Sequence, residues 1–172
     1  INIKDLKKIK KPIVWTMRDM WPFTGGCHYS MECNNYITGC GSCIQLGSKK
    51  KYDLSHYIVN RKQRNFPKNM TMVGISNWLS NKARESTILS DYDIRTIYNN
   101  IDCNSFFPVN KTHARKILGI ETEKKVILCG AQNINDFYKG FEKYLTSLSL
   151  LNKDQFLLLF FGKLKKSTVN NI

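Results

Sequence analysis

The sequence predicts an α/β protein with a mostly parallel sheet, laid out in two parts. Short apolar segments of strand length alternate with segments whose apolar residues recur at helical spacing, which is the pattern of βαβ units. A polar, aperiodic stretch at 99–110, NNIDCNSFFPVN, interrupts the alternation, and a fresh helix and strand follow it. Hydrophobic residues make up 42% of the 172 residues and aromatic ones 12%, enough for packed cores and too much for a chain disordered throughout. No run approaches the roughly 20 apolar residues of a membrane-spanning helix.

The elements are expected in this order. Ile3, Leu6 and Ile9 stand at helical spacing, so 2–10 reads as a short amphipathic helix that Pro12 ends. Residues 13–17 read as a buried strand, and a loop rich in cysteine and glycine follows at 24–46. A helix is expected over 53–62, ahead of Pro67, then a strand at 71–75. Ser76 is placed to cap a helix over 77–86, in which Trp78, Leu79 and Ala83 keep helical spacing. A third strand is expected at 93–98. Beyond the linker come a helix at 111–118 closed by Gly119, a strand at 125–129, a helix at 137–150 and a strand at 155–161. Two partial domains result, 1–98 and 111–172, joined by 99–110. Ile1 is not an initiator methionine and the last apolar strand has no helix after it, so the chain reads either as a processed protein or as an excerpt from a longer one.

The formal net charge is +14, with 27 Lys and Arg against 13 Asp and Glu. The basic residues cluster at Lys7, Lys8, Lys10 and Lys11; Lys49, Lys50 and Lys51; Arg61, Lys62 and Arg64; and Lys163, Lys165 and Lys166. Such a balance favours polyanionic partners: nucleic acid, an anionic membrane surface or phosphorylated ligands. For any one cluster, solvated surface is an equal alternative.

Chemistry concentrates in 15–46. Cys27, Cys33, Cys40 and Cys43 are spaced C-x5-C-x6-C-x2-C, which suits either a structural zinc ion held by four thiolates or reduced thiols packed in a glycine-rich loop. His28 is an alternative ligand. Nothing points to an oxidising compartment, which disfavours disulfides. CGSC at 40–43 invites a thioredoxin-like redox reading, but its flanks are polar and glycine-bearing where that motif needs a strand before it and a helix after it. Cys103 and Cys129 read as structural.

Arg18 and Asp19 follow the first strand directly. The guanidinium can meet phosphate or carboxylate bidentately or pair with its neighbour, and both remain open. The stretch at 130–140, GAQNINDFYKG, leaves a strand and enters a helix near Lys139, where backbone N–H groups and an ammonium can make an anion site; it lacks the GxxxxGK[ST] pattern. Trp15, Trp21, Tyr29 and Tyr36 near basic residues suggest a base-stacking surface, yet no nucleic-acid motif accompanies them, and the two tryptophans read as core.

Four segments, in order, carry a family resemblance: PIVWTMRDMWPFTGGCHYS with TGCGSCIQLG, VGISNWLSNKARES, IYNNIDCNSFFPV, and VILCGAQNINDFYKGFEKYL. They resemble the acceptor-domain loop, a strand-to-helix turn, the interdomain segment and the start of the nucleotide-sugar domain of glycosyltransferases of family 4. The resemblance is nearest to those of bacterial exopolysaccharide, capsule and lipopolysaccharide assembly, and it runs over about 11–163.

It implies a GT-B architecture, two Rossmann-like domains facing across a cleft, each here truncated. It implies retaining transfer of a sugar from a nucleoside diphosphate sugar to a saccharide or lipid-linked acceptor, without a catalytic metal. It places Lys139 and Gly140 at the donor diphosphate, and Arg18 and Asp19 facing the cleft from the acceptor side, with the four cysteines as a brace for that loop by zinc or by packing. Arg18 stands where many members have His, Asn133 or Gln132 where an Arg is common, and Asn100 where the interdomain motif has Gly. The family's paired glutamates, E-x7-E, do not occur here, so the resemblance implies that these residues alone have no turnover. With the basic clusters it also implies work in the cytoplasm, at the inner face of the membrane. The rival reading is a non-catalytic, zinc-bearing basic domain that binds nucleic acid or another polyanion.

Overall fold

The computed structural model describes residues 2–121, 123–134 and 136–163; Lys165 and Lys166 of the last basic cluster lie outside them. It is mixed α/β with parallel strands in open sheets, and it divides into two compact units, Ile1–Phe106 and Phe107–Ile172.

The first unit holds a three-stranded parallel sheet of β1 (Ile13–Met17), β2 (Met70–Gly74) and β3 (Asp93–Thr96), in the order β1-β2-β3. Trp15 stands opposite Met72, and Met72 opposite Ile94. Helix α1 (Leu54–Asn65) joins β1 to β2 after the long loop, and α2 (Asn77–Glu85) joins β2 to β3. Asp53 caps α1 by accepting from the N–H groups of Ser55 and His56. The helix runs three residues past the expected end, to just before Phe66, which is extended (φ −72°, ψ 125°) as the residue before Pro67 must be. Ser76 caps α2 through the Leu79 N–H, as expected. β3 stops at Thr96, short of the expected 98, because its partner β2 ends at Gly74, whose carbonyl takes the last bond from Ile97 N–H.

The first segment, Ile3–Lys8, is a 3₁₀ helix of six residues capped by Asn2. Its Leu6 is buried within the core of this unit, which gathers Met17, Met20, Phe23, Tyr36, Val59, Phe66, Met72, Leu79 and Leu89. Trp15 packs against that core with its ring 5.6 Å from Phe66 and 6.4 Å from Trp21, so the tryptophans are structural.

The second unit holds α3 (Lys111–Ile117), β4 (Lys125–Asn133), α4 (Phe141–Leu148) and β5 (Phe156–Lys163), with β4 and β5 parallel. Asn110 caps α3 and Gly119 follows it in the left-handed region. Both strands outrun expectation, because pairing continues through an irregularity between Ala131 and Asn133. The helix expected over 137–150 is instead two pieces. Phe137–Lys139 is a 3₁₀ turn capped by Asp136, Gly140 takes φ +64°, and α4 starts only then. A left-handed residue cannot sit inside a right-handed helix, and glycine takes that conformation without steric cost. Phe141 and Tyr144 of α4 set their rings against Phe160 of β5, at 5.9 and 6.2 Å.

Candidate functional site

In parallel sheets ligands gather outside the carboxyl ends of the strands, and the loop that leaves β1 there is the most elaborately held part of the chain. Asp19 is its hinge. One carboxylate oxygen accepts from the Trp21 N–H at 2.8 Å, and the other lies 2.7 Å from Nδ1 of His28, nine residues on. Alongside, the Met20 N–H donates to the His28 carbonyl at 2.9 Å, so the pairing rests on a closed backbone and not on two loose side chains. With Asp19 ionised, Nδ1 carries the proton and Nε2 is left free to accept one. The Asp19 side chain is 28% exposed and that of His28 66%, so the oriented imidazole faces solvent. Arg18, next to Asp19 in the chain, is exposed. The side-chain partner of Asp19 is therefore His28, through a hydrogen bond, and the Arg18–Asp19 pair left open above does not form.

Lys62 holds the next turn of the loop. It reaches from α1 to donate to the carbonyls of Trp21 and of Thr24, the latter at 2.9 Å, with its ammonium 3.8 Å above the Trp21 ring centroid. The residue has no exposed surface, and burial pushes its ammonium down from 10.5 to about 8, against the fields of Cys27, Cys40 and Asp19. The Thr24 hydroxyl closes the turn by donating to the Cys27 carbonyl at 2.6 Å. Read as part of a surface cluster, Lys62 is in fact a core cation. The signal was present: Ser55, Val59 and Lys62 are the buried residues of α1 at spacings of four and three.

Cys27, Cys33, Cys40 and Cys43 are free, partly buried thiols. They are near neighbours, since the field of each of the other three raises Cys40. Burial is the larger cause and takes Cys40 from 9.0 to about 11; it also raises Cys27. Among the described residues no three His, Cys, Asp or Glu side chains stand as a group that could hold a metal ion. Hydrogen bonds and packing hold the loop in this structure, the choice between zinc and packing as its brace stays as the spacing left it, and no step below passes through a metal. The redox reading of CGSC fails on both counts that matter. Cys40, Gly41 and Ser42 have φ of 56°, 122° and 46°, a tight turn and not a helix start, and a thiol raised to about 11 is not a nucleophile at neutral pH.

The second unit carries Lys139 and Gly140. Asp136 accepts from the Tyr138 N–H at 3.2 Å and the Lys139 N–H donates to the Asp136 carbonyl, which turns the chain so that Lys139 ends exposed on the threshold of α4. Gly140 offers no side chain to cap α4, so the first N–H groups of that helix are open to an acceptor. Glu142 lies in the same first turn and opposes an anion there.

Over 77 residues the chain is 34% identical to a protein of Escherichia coli strain K12 named as a colanic acid biosynthesis glycosyl transferase, WcaC; the match takes in 38% of this chain and 19% of that protein. The chain thus spans about a fifth of the curated relative it matches. No family model and no solved structure matches it. No helix among the described residues is long and apolar enough to cross a membrane.

Proposed function

We propose that this chain is part of a glycosyltransferase of the GT-B type, family 4, that makes cell-surface polysaccharide. The reaction is transfer from a nucleoside diphosphate sugar to a saccharide or lipid-linked acceptor, with retention. The observation that carries the reading is the braced loop at the carboxyl end of β1, where Asp19 holds His28 with its free nitrogen toward solvent. The partial similarity to a named glycosyl transferase supports it.

In this reading the first unit serves the acceptor. The Nε2 of His28 accepts a hydrogen bond from an acceptor hydroxyl, Asp19 fixes the tautomer, and Arg18 meets an anionic group of the acceptor or donor. The second unit serves the donor: Lys139 and the open N–H groups after Gly140 meet the diphosphate. As the acceptor oxygen bonds to the anomeric carbon, the bond from that carbon to the diphosphate oxygen breaks on the same face. The electron pair departs with the diphosphate, which takes up the hydroxyl proton.

Calorimetric titration of the chain with UDP and with GDP tests the donor half. One of them is expected to bind, Lys139→Ala to weaken it at least fivefold, and Asp19→Asn to leave it unchanged. Absence of binding by either nucleotide at millimolar concentration, or indifference to Lys139→Ala, would remove the donor assignment. The segment alone is expected to show no turnover.

A further inference from the structure

We propose that the loop 41–54 is a membrane-docking wedge that inserts into the headgroup region of a bilayer rich in anionic lipid. The inference names which surface would meet the anionic membrane that the basic clusters suit, and it rests on this loop and not on the transferase reading. The loop is tied at its base. Gly41 N–H donates to the Ser55 hydroxyl at 3.0 Å, Ser42 N–H to the Lys50 carbonyl at 2.9 Å, and Cys43 N–H to an Asp53 carboxylate oxygen at 2.8 Å. Gly41 sits so close to the other arm that a Cβ there would lie 2.1 Å from the Lys51 carbonyl oxygen.

Above this tied base stands a 3₁₀ turn, Ile44–Leu46, with Gly47 in the left-handed region to end it. Its two apolar side chains point away from the core: Ile44 is 79% exposed and Leu46 53%. Tyr52 and Leu54, on the returning arm, are 73% and 59% exposed. A single exposed leucine is ordinary on a protein surface. Four large apolar residues held outward by a hydrogen-bonded loop are a feature to be covered.

Charge identifies the cover. Lys49, Lys50 and Lys51 are all exposed on the same loop. Between Glu32 and Glu85 the only acidic residue is Asp53, and its carboxylate is already met by the N–H groups of Cys43, Ser55 and His56 and by the Ser55 hydroxyl. The loop itself therefore carries three exposed cations and one carboxylate already held by hydrogen bonds, beside branched aliphatic tips and a tyrosine. Aliphatic side chains flanked by lysine and tyrosine suit the boundary between headgroups and acyl chains. A single-stranded nucleic acid would ask for aromatic faces at the tip, where this loop has Ile44 and Leu46.

Cosedimentation of the 172-residue chain with vesicles tests the proposal. Binding is expected to phosphatidylcholine vesicles carrying a third phosphatidylglycerol and to be weak with phosphatidylcholine alone. Each lysine near an anionic surface contributes about fivefold in affinity, so the triple change of Lys49, Lys50 and Lys51 to Gln should cost about a hundredfold. Ile44→Ser with Leu46→Ser should abolish the binding that survives at half-molar salt, where attraction between surface charges is screened. A tryptophan reporter, Leu46→Trp, should be quenched by brominated lipid. Changing Lys7, Lys8, Lys10 and Lys11 to Gln is the control, expected to cost far less. Equal losses from the control set would overturn the wedge in favour of diffuse attraction. So would unaltered binding by the Ile44 and Leu46 variant, an unquenched reporter, or a single-stranded oligonucleotide that competes the chain off vesicles through the same lysines. All variants lie at exposed positions, and an unchanged melting curve confirms that each is folded.

Discussion

Lys62 illustrates how much one side chain can hold. A buried ammonium is costly, and two carbonyls and an indole face offset only part of the cost, which is why its value falls to about 8. Lys62→Met would keep the volume and orphan the carbonyls of Trp21 and Thr24, and leaving buried acceptors unpaired should cost about 2–3 kcal/mol at pH 7.5. The pH dependence has a definite sign. The folded value lies near 8 and the ordinary one at 10.5, so between them the unfolded chain holds a proton that the folded chain has released. Stability from this group therefore rises with pH across that window. Urea melts of wild type and Lys62→Met should show a gap that widens from pH 7.5 to pH 10, and a gap that narrows would refute the assignment. The neighbouring pair behaves differently. His28 and Asp19 are surface-accessible, their bond adds under about 1 kcal/mol to stability, and their use lies in orientation. Lys62 was legible in the helical register of α1. The His28–Asp19 pair was not, since nine residues of aperiodic loop separate the partners and only the folded backbone brings Met20 N–H to the His28 carbonyl.

At the scale of elements, boundaries followed local chemistry wherever a cap or a proline set them. Ser76 caps its helix as expected, while Asp53, read as the first helical residue, and Asn110, read as linker, cap theirs in the structure, and Pro67 stops the helix before it three residues later than expected. The exception is 137–150, where apolar spacing continued through Gly140 and concealed the break. Nothing lies within 4 Å of the position a Cβ would take at Gly140, so its requirement is one of backbone conformation alone. Gly140→Val should therefore destabilise the second unit by about 1–2 kcal/mol, whereas Gly140→Asn should cost less, because Asn tolerates the left-handed region. Thermal melts of the two variants decide it. Equal costs would mean that crowding or a ligand contact, and not φ, dictates glycine there. Strand lengths were the other shortfall. β3 ends where β2 stops offering carbonyls, and β4 continues because β5 does, so both depend on a partner that no single segment encodes.

Across the whole molecule the two units are unequally built. The first has three strands, two helices and one continuous core from Leu6 to Ile94. Among the described residues the second has a two-stranded sheet, and its buried apolar residues are Ile134, Phe141 and Leu148, while Leu128, Phe161, Ile117, Leu118 and Leu150 stand exposed. Composition, averaged over the chain, could not reveal that imbalance, although the alternation of strand and helix was legible on both sides of 99–110. A two-stranded sheet with so little burial is marginal in water, so opening should be local to 107–163 and far more frequent than opening of the first unit. Brief digestion with a protease of broad specificity should therefore cut first within 107–163 and leave a resistant fragment ending close to Phe106, read by intact mass. Residues 2–106 produced alone should then melt cooperatively near the upper transition of the whole chain. A resistant fragment that spans Phe106 and Phe107, or simultaneous loss of both halves, would mean that the two units share one cooperative transition and that exposure in the second does not measure its stability.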